Sequence, residues 1–284
     1  MSDKMRNLLT RSLSGVVLIA VVLAAAYGGK YSYGALLGLI LCVGMWEFYR
    51  IAAASDAKPQ LLPGLVAGLT LFVTGFALFV GDAQSAVVDW SMVIGGAIYF
   101  VLLIPAVFII ELFKNSTTPL RNIATTLMGV WYVSFPLTLM LFIPLMLGGG
   151  VWRAEAFLFY LFIVWANDVC AYLFGITLGK HKMCERISPK KSWEGFFGGV
   201  AGAIGMGAVG ASVVGGEMAM WIGLAAIVAL TSVLGDLVES MFKRESGIKD
   251  SGNILPGHGG MLDRFDAVLI SSPFAFIYLL IYLF

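Results

Sequence analysis

The stretch LLPGLVAGLTLFVTGFALFV, residues 61–80, carries no charged side chain, and its only hydroxyls are those of Thr70 and Thr74. At 1.5 Å rise per residue, a helix of about twenty residues covers roughly the 30 Å of a bilayer's hydrocarbon core. In lipid the backbone must satisfy its own N–H and C=O groups, so the stretch reads as a membrane-spanning helix. Comparable apolar runs flank it at about 12–28, 33–54 and 90–113, and the second half adds 122–147, 155–178, 194–214, 217–240 and 262–284. The eighth run is expected to continue past the membrane at its end. The expected fold class is all-α: a polytopic integral membrane protein of about nine transmembrane helices. Composition agrees, since 60% of residues are hydrophobic and only 12% charged, about half the charged share of soluble domains.

Charge placement tests the count, because alternate loops should differ in Lys and Arg. Of the 18 such residues, only Lys30 and Arg153 fall on one side; Lys4, Arg6, Arg11 and all the others share the opposite side. One miscounted span in the middle would scramble this asymmetry. It therefore supports nine spans, a cytoplasmic N-terminus and an outward C-terminus. The apolar run from Leu13 to Ala26 behind three basic residues imitates a secretory signal but is read as the first membrane helix. A net charge of +1 gives no ground for a nucleic-acid partner. Three scattered cysteines, Cys42, Cys170 and Cys184, suggest neither a disulfide framework nor a zinc site. Pro105, Pro136 and Pro144 fall inside spans as kinks. The series Gly195, Gly198, Gly199, Gly202, Gly205, Gly207 and Gly210 offers small faces for close helix contact, within the chain or between two copies of a homodimer.

Polar residues crowd the second half. Residues 1–121 read as N-terminal membrane helices one to four, a scaffold with short loops. Residues 122–284 read as helices five to nine, with loops 179–194 and 241–262 on the cytoplasmic side carrying the chemistry. Three groups stand out there. Asn167-Asp168 lies inside the sixth span, where an ionised carboxylate costs about 2.5–3.5 kcal/mol and so faces a polar cavity or a partner; Tyr172, Gly175 and Gly179 follow on the same helical face. The basic loop from Lys180 to Gly195, including Ser188, Lys190 and Lys191, can attract anionic headgroups in general or hold particular phosphates at a helix start. Ser192 and Glu194 equally suit the first turn of that helix.

The third group is the densest. Asp236, Glu239, Ser240 and Lys243 recur at i, i+3, i+4 and i+7, giving one polar face on an apolar segment. A glycine-rich loop containing Lys249, Asp250, His258, Gly259 and Gly260 follows, and then Asp263, Arg264 and Asp266 at a helix start. Carboxylates without a His or Cys cluster suit an oxygen-ligated divalent cation such as Mg2+. The lone His258 is either a phosphate donor or a loop-packing residue.

The stretch from Ser240 to Asp266, SMFKRESGIKDSGNILPGHGGMLDRFD, resembles the signature of the phosphatidate cytidylyltransferase (CDP-diacylglycerol synthase) family. Ser240, Lys243, Arg244, Lys249, Asp250, His258, Gly259, Gly260, Asp263, Arg264 and Asp266 all match it in type and spacing. Asn167-Asp168 and the stretch from Ser188 to Gly195 look like further elements of that family, whereas the first half is similar only in being hydrophobic. The resemblance implies transfer of the cytidylyl group of CTP to phosphatidate at the cytoplasmic face of a bacterial-type inner membrane. It also implies Asp236 and Asp263 as ligands of Mg2+, with room for a second cation. Asp236, Asp263, Lys249, Asp250 and Arg264 are the expected catalytic residues. Substrate contacts are expected from Asn167, Asp168, Ser188, Lys190, Lys191, Ser240, Lys243, Arg244, His258, Gly259, Gly260 and Asp266. The competing readings are an ion-coupled secondary transporter and another membrane phosphotransferase acting on a lipid phosphate.

Overall fold

A computed structural model describes residues 3–81, 90–254, 256–257 and 259–283. The protein is a multi-pass helical membrane protein. Among the described residues, eight helices are long and apolar enough to cross a bilayer, and the apolar part of the first helix, Ser12–Tyr27, is shorter. The chain packs as two compact units, residues 1–141 with 245–264, and residues 142–244 with 265–284.

The first unit holds α1 (Asp3–Tyr27), α2 (Lys30–Ala54), α3 (Leu61–Val80), α4 (Trp90–Phe113), α5 (Pro119–Gly129) and α6 (Phe135–Met140). On α2, Tyr33, Leu37, Leu41 and Met45 repeat at four-residue spacing and are fully buried, which is the inner stripe of a helix in a bundle. The fifth span is not one continuous helix. Between α5 and α6 lies a π turn, Val130–Ser134, closed by the Phe135 amide donating to the Val130 carbonyl. Pro136 has no N–H and cannot bond the carbonyl four residues back, so the wider turn falls where the α-ladder is interrupted. Glu111, 2% exposed, accepts from Gln60 Nε2 at 2.8 Å and Asn122 Nδ2 at 2.6 Å, so amide donors replace the water it has left.

The second unit holds α7 (Ile143–Leu147), α8 (Ala154–Leu178), strands β1 (Lys182–Cys184) and β2 (Ser188–Ser192), α9 (Trp193–Val214), α10 (Met218–Glu245, through Arg244), and α11 (Leu262–Leu283) from Phe265 onward. The glycines of α9 make contacts within the chain. A Cβ on Gly199 would lie 2.6 Å from Asn167 Oδ1 and 2.8 Å from the Asn167 carbonyl, and one on Gly195 would lie 2.7 Å from the Ala171 carbonyl. Gly207 and Gly210 meet the fully buried Trp221 of α10 in the same way, whereas Gly205 faces open space. Removing side chains lets the backbones of α8 and α9 approach to van der Waals distance, which is how helices associate where no hydrophobic drive separates protein from lipid.

The loop expected between α8 and α9 folds as an antiparallel hairpin, with Lys182 opposite Ser192 and Cys184 opposite Ser188. Ser192 caps α9, its Oγ accepting from the Gly195 amide at 3.2 Å. Glu194 accepts from the Lys180 and His181 amides at 3.1 and 3.2 Å and pairs with His181 Nδ1 at 2.6 Å, tying the base of the hairpin to the helix start. Losing a Ser cap costs about 1 kcal/mol. Ser192→Ala should therefore lower the thermal midpoint of the detergent-solubilised protein by about 2 °C, measured by intrinsic fluorescence.

Candidate active site

In the second unit, Asp236, Glu239, Ser240 and Lys243 share one face near the C-terminal end of α10. The helix runs 28 residues, about 42 Å at 1.5 Å per residue, longer than the hydrocarbon core it crosses. α11 approaches α10 closely at Gly235, where a Cβ would lie 2.5 Å from the Asp266 carbonyl and 3.0 Å from Ala267 Cα. That approach sets Asp266 beside the α10 acids. One carboxylate oxygen from each of Asp236, Glu239 and Asp266 lies within 4.8 Å of the other two.

Three carboxylates this close repel unless cations intervene. Lys243 Nζ pairs with Glu239 Oε2 at 2.5 Å, and Lys191 Nζ pairs with Asp236 Oδ2 at 2.7 Å while donating to the Val233 carbonyl at 3.1 Å. Glu239 and Lys243 are 1% and 8% exposed, and mutual pairing spares each the several kcal/mol that an unpaired buried charge costs. Ser240 Oγ donates to Asp236 Oδ1 at 3.3 Å, and Asp266 Oδ1 accepts from the Ala267 amide at 2.8 Å. The two ammonium groups offset part of the repulsion among the three acids. The donors are all carboxylate oxygens, so the cluster fits a hard divalent cation such as Mg2+.

Beside this cluster is a cavity of about 530 Å³, lined by Asp168 and Tyr172 of α8, Lys182, Ser188, Lys190 and Lys191 of the hairpin, Phe196 of α9, and Asp236. Its lining joins a polar end, where acids and lysines meet, to apolar and aromatic walls. The sequence candidates Asp168, Ser188, Lys190, Lys191 and Asp236 thus come together around one space. Asn167 is fully buried, and its Nδ2 donates to Ser232 Oγ at 3.1 Å, between helices. Arg244 is exposed near the end of α10.

The remaining candidates belong to the first unit, in the segment from Glu245 to Arg264, which ends in the first residues of α11. Asp263 Oδ2 accepts from the Ser251 amide at 2.9 Å, the Ser251 hydroxyl at 3.0 Å and the Gly260 amide at 2.8 Å. Gly259 has φ +85°, a region that L side chains rarely adopt, and a Cβ there would lie 2.5 Å from Asp263 Oδ2. Lys249, Asp250 and Arg264 are exposed, and His258 lies outside the described residues. Asp236 and Asp263, the two expected metal ligands, therefore belong to different units.

Sequence reasoning missed Glu47, which is 0% exposed on α2. Its carboxylate accepts from the Met261 amide at 3.0 Å, the Leu262 amide at 2.8 Å and the Ser251 hydroxyl at 3.1 Å. The signal was available: a lone acid in the middle of an apolar span asks for an explanation just as Asp168 does. Gly235 was also missed, since nothing in the pattern marks which helical glycine is a crossing point.

Helices embedding a carboxylate cluster, with a lysine-bearing hairpin at their ends, define a membrane enzyme acting on phosphate-bearing substrates. The sequence matches the cytidylyltransferase family over residues 9–282, and the chain belongs to that family. It is similar to the phosphatidate cytidylyltransferase of Staphylococcus aureus, at 34% identity over 265 residues, 93% of this chain and 95% of that one. The phosphatidate cytidylyltransferase of Brucella suis is 28% identical over 275 residues, 96% of this chain and 94% of that one. That of Staphylococcus epidermidis is 48% identical over 126 residues, 43% of this chain and 48% of that one.

Proposed function

We propose that the protein transfers the cytidylyl group of CTP to phosphatidate, giving CDP-diacylglycerol and pyrophosphate, at the cytoplasmic face of a bacterial inner membrane. The observation that carries this reading is the meeting of Asp236, Glu239 and Asp266 with Lys191 and Lys243 beside a cavity walled by apolar side chains. Membership of the cytidylyltransferase family and the names of the relatives support the same substrates. The cytoplasmic side is supported by the skew of Lys and Arg, and the inner membrane by the bacterial relatives.

Phosphatidate is a phosphate monoester whose second pKa is about 6, so at neutral pH it is already largely a dianionic nucleophile. Its oxygen attacks the α-phosphorus of CTP; the new P–O bond forms as the bond to the β-phosphate bridging oxygen breaks, and pyrophosphate leaves with that electron pair. No strong base is needed. The difficulty is holding two polyanions together, and the Lys190, Lys191 and Lys243 ammonium groups offset that repulsion. Mg2+ would neutralise charge developing on the phosphate oxygens; Asp236, with Glu239 and Asp266, is its proposed holder in the second unit, and Asp263 is the proposed ligand of a second cation in the first. The acyl chains stay in lipid while the headgroup reaches the lysines.

The test is an assay of the purified protein with radiolabelled CTP, phosphatidate vesicles and Mg2+. Labelled lipid is expected only with all three present; labelled lipid formed without phosphatidate, or none at all, overturns the reading. Removing one charged contact to phosphate costs about 1.5–3 kcal/mol. Lys191→Met is therefore expected to lower kcat/KM by roughly 10- to 100-fold, since 1.4 kcal/mol is tenfold. Its partner Asp236 is half exposed, so the lost ion pair changes stability by less than about 1 kcal/mol. Thermal unfolding of the same variant checks this.

A further inference from the structure

We infer that Glu47, on the second helix, is a positioning residue that sets the conformation of the glycine-rich loop and through it the Asp263 carboxylate. Three donors converge on its two oxygens, and two of them are the Leu262 amide, at the first residue of α11, and the Met261 amide just before it. A helix start presents unsatisfied N–H groups and the positive end of a dipole, and an anion is the group that suits both. Glu47 thereby pins the first turn of α11 one residue before Asp263.

The third donor extends the constraint. The Ser251 hydroxyl lies 3.1 Å from Glu47 Oε2 and 3.0 Å from Asp263 Oδ2. One hydroxyl proton serves only one of these acceptors at a time, so the Ser251 hydroxyl stands between the two carboxylates and alternates between them. The Ser251 amide, which also donates to Asp263 Oδ2 at 2.9 Å, fixes the other side of the loop to the same oxygen. Glycines make room for this packing. A Cβ on Gly260 would lie 2.6 Å from both Glu47 oxygens, and Gly252 is pressed equally close to the same carboxylate. Residues 204 to 215 positions apart in sequence thus form one hydrogen-bonded unit.

A fully buried carboxylate costs several kcal/mol unless donors replace its water. Glu47 is therefore a strong constraint only while the loop supplies those donors, and the loop is ordered only while Glu47 accepts them. Substitution by Gln keeps the volume but turns one acceptor into an N–H donor, which must face either the Met261 or the Leu262 amide. The network then loses a charge-assisted bond and gains a donor–donor repulsion. Asp keeps the charge on a shorter stem.

Asp263 bears on turnover as the proposed metal ligand, so this inference rests on that reading, and the experiment follows loop order separately from catalysis. Full-length wild type, Glu47→Gln and Glu47→Asp are compared by amide hydrogen exchange of the peptide covering 250–262, with α3 peptides as reference, and by the Mg2+ dependence of cytidylyl transfer. In Glu47→Gln, exchange in 250–262 is expected to rise at least about tenfold with α3 unchanged, and the half-saturating Mg2+ concentration to rise roughly 10- to 100-fold, the range for lost supporting bonds around a metal ligand. Glu47→Asp should recover part of both effects. A merely structural role would lower the thermal midpoint and leave the Mg2+ dependence of the folded enzyme unchanged, and that outcome overturns the inference. So does wild-type exchange in 250–262. If Glu47→Gln does not fold, Ser251→Ala carries the same test, with smaller changes in the same directions expected and no change in either overturning it. Wild-type protein inert towards CTP and phosphatidate would sink the proposed function, while the exchange data would still decide whether Glu47 orders the loop.

Discussion

Asp236→Asn is expected to lower turnover at least about 100-fold, beyond the 10- to 100-fold range typical of losing only a supporting bond around a metal, with the fold retained. The Asp236 side chain is 43% exposed and its ion pair with Lys191 spans 2.7 Å. A pair that wet contributes no more than about 1 kcal/mol, so the variant should stay folded. Its chemistry is another matter. Asn carries no charge, and the cluster of Asp236, Glu239 and Asp266 loses one of its three carboxylates. The measurement is kcat alongside thermal unfolding in the same detergent. Near-normal turnover would remove Asp236 from the site.

Gly235→Ala is also expected to impair the protein, and two opposing terms decide the sign of its effect on stability. Helix propensity favours Ala over Gly by about 1 kcal/mol. Against that, the new methyl would stand 2.5 Å from the Asp266 carbonyl oxygen, a backbone atom that no rotamer change can move. Overpacking of this kind costs about 1–3 kcal/mol, so the net effect is destabilising. The more telling consequence is geometric. α10 and α11 must separate at the point that sets Asp266 beside Asp236 and Glu239, and a misplacement of about 1 Å can cost roughly 100-fold in rate. Turnover of the folded variant is expected to fall more than about tenfold. A variant with wild-type kcat would show that the crossing at Gly235 does not set the acid cluster.

Much of the fold was legible because lipid imposes simple rules. Uncharged runs such as 61–80 give helices of matching length, and the bias of Lys and Arg supports their number. The fifth span escaped this reading. Apolar content carries no record of hydrogen-bond register, so the π turn ahead of Pro136 could be anticipated only as a kink. The hairpin between α8 and α9 also escaped, because three- and five-residue strands rich in Lys and Ser carry none of the alternating apolar pattern that marks a half-buried strand.

The site was legible where periodicity brings residues together on one element. Asp236, Glu239, Ser240 and Lys243 share a face because a helix has 3.6 residues per turn, and spacing alone reveals that. Long-range partners leave no such trace. Glu47 meets Ser251, Met261 and Leu262 across more than 200 residues, and no local pattern connects them. Asn167, a polar residue in a span, is fully buried, donating to Ser232 and close to Gly199, partners that no local pattern announces.

The central claim is that the bond broken lies between the α- and β-phosphates of CTP and that the lipid keeps the α-phosphorus. The purified protein is incubated with phosphatidate vesicles, Mg2+ and CTP carrying radioactive phosphorus at either the α or the γ position, and the products are partitioned between chloroform and water. Label from the α position is expected in the lipid phase and label from the γ position in aqueous pyrophosphate. Lipid labelled from the γ position would contradict this and make the protein a phosphoryl-transferring kinase.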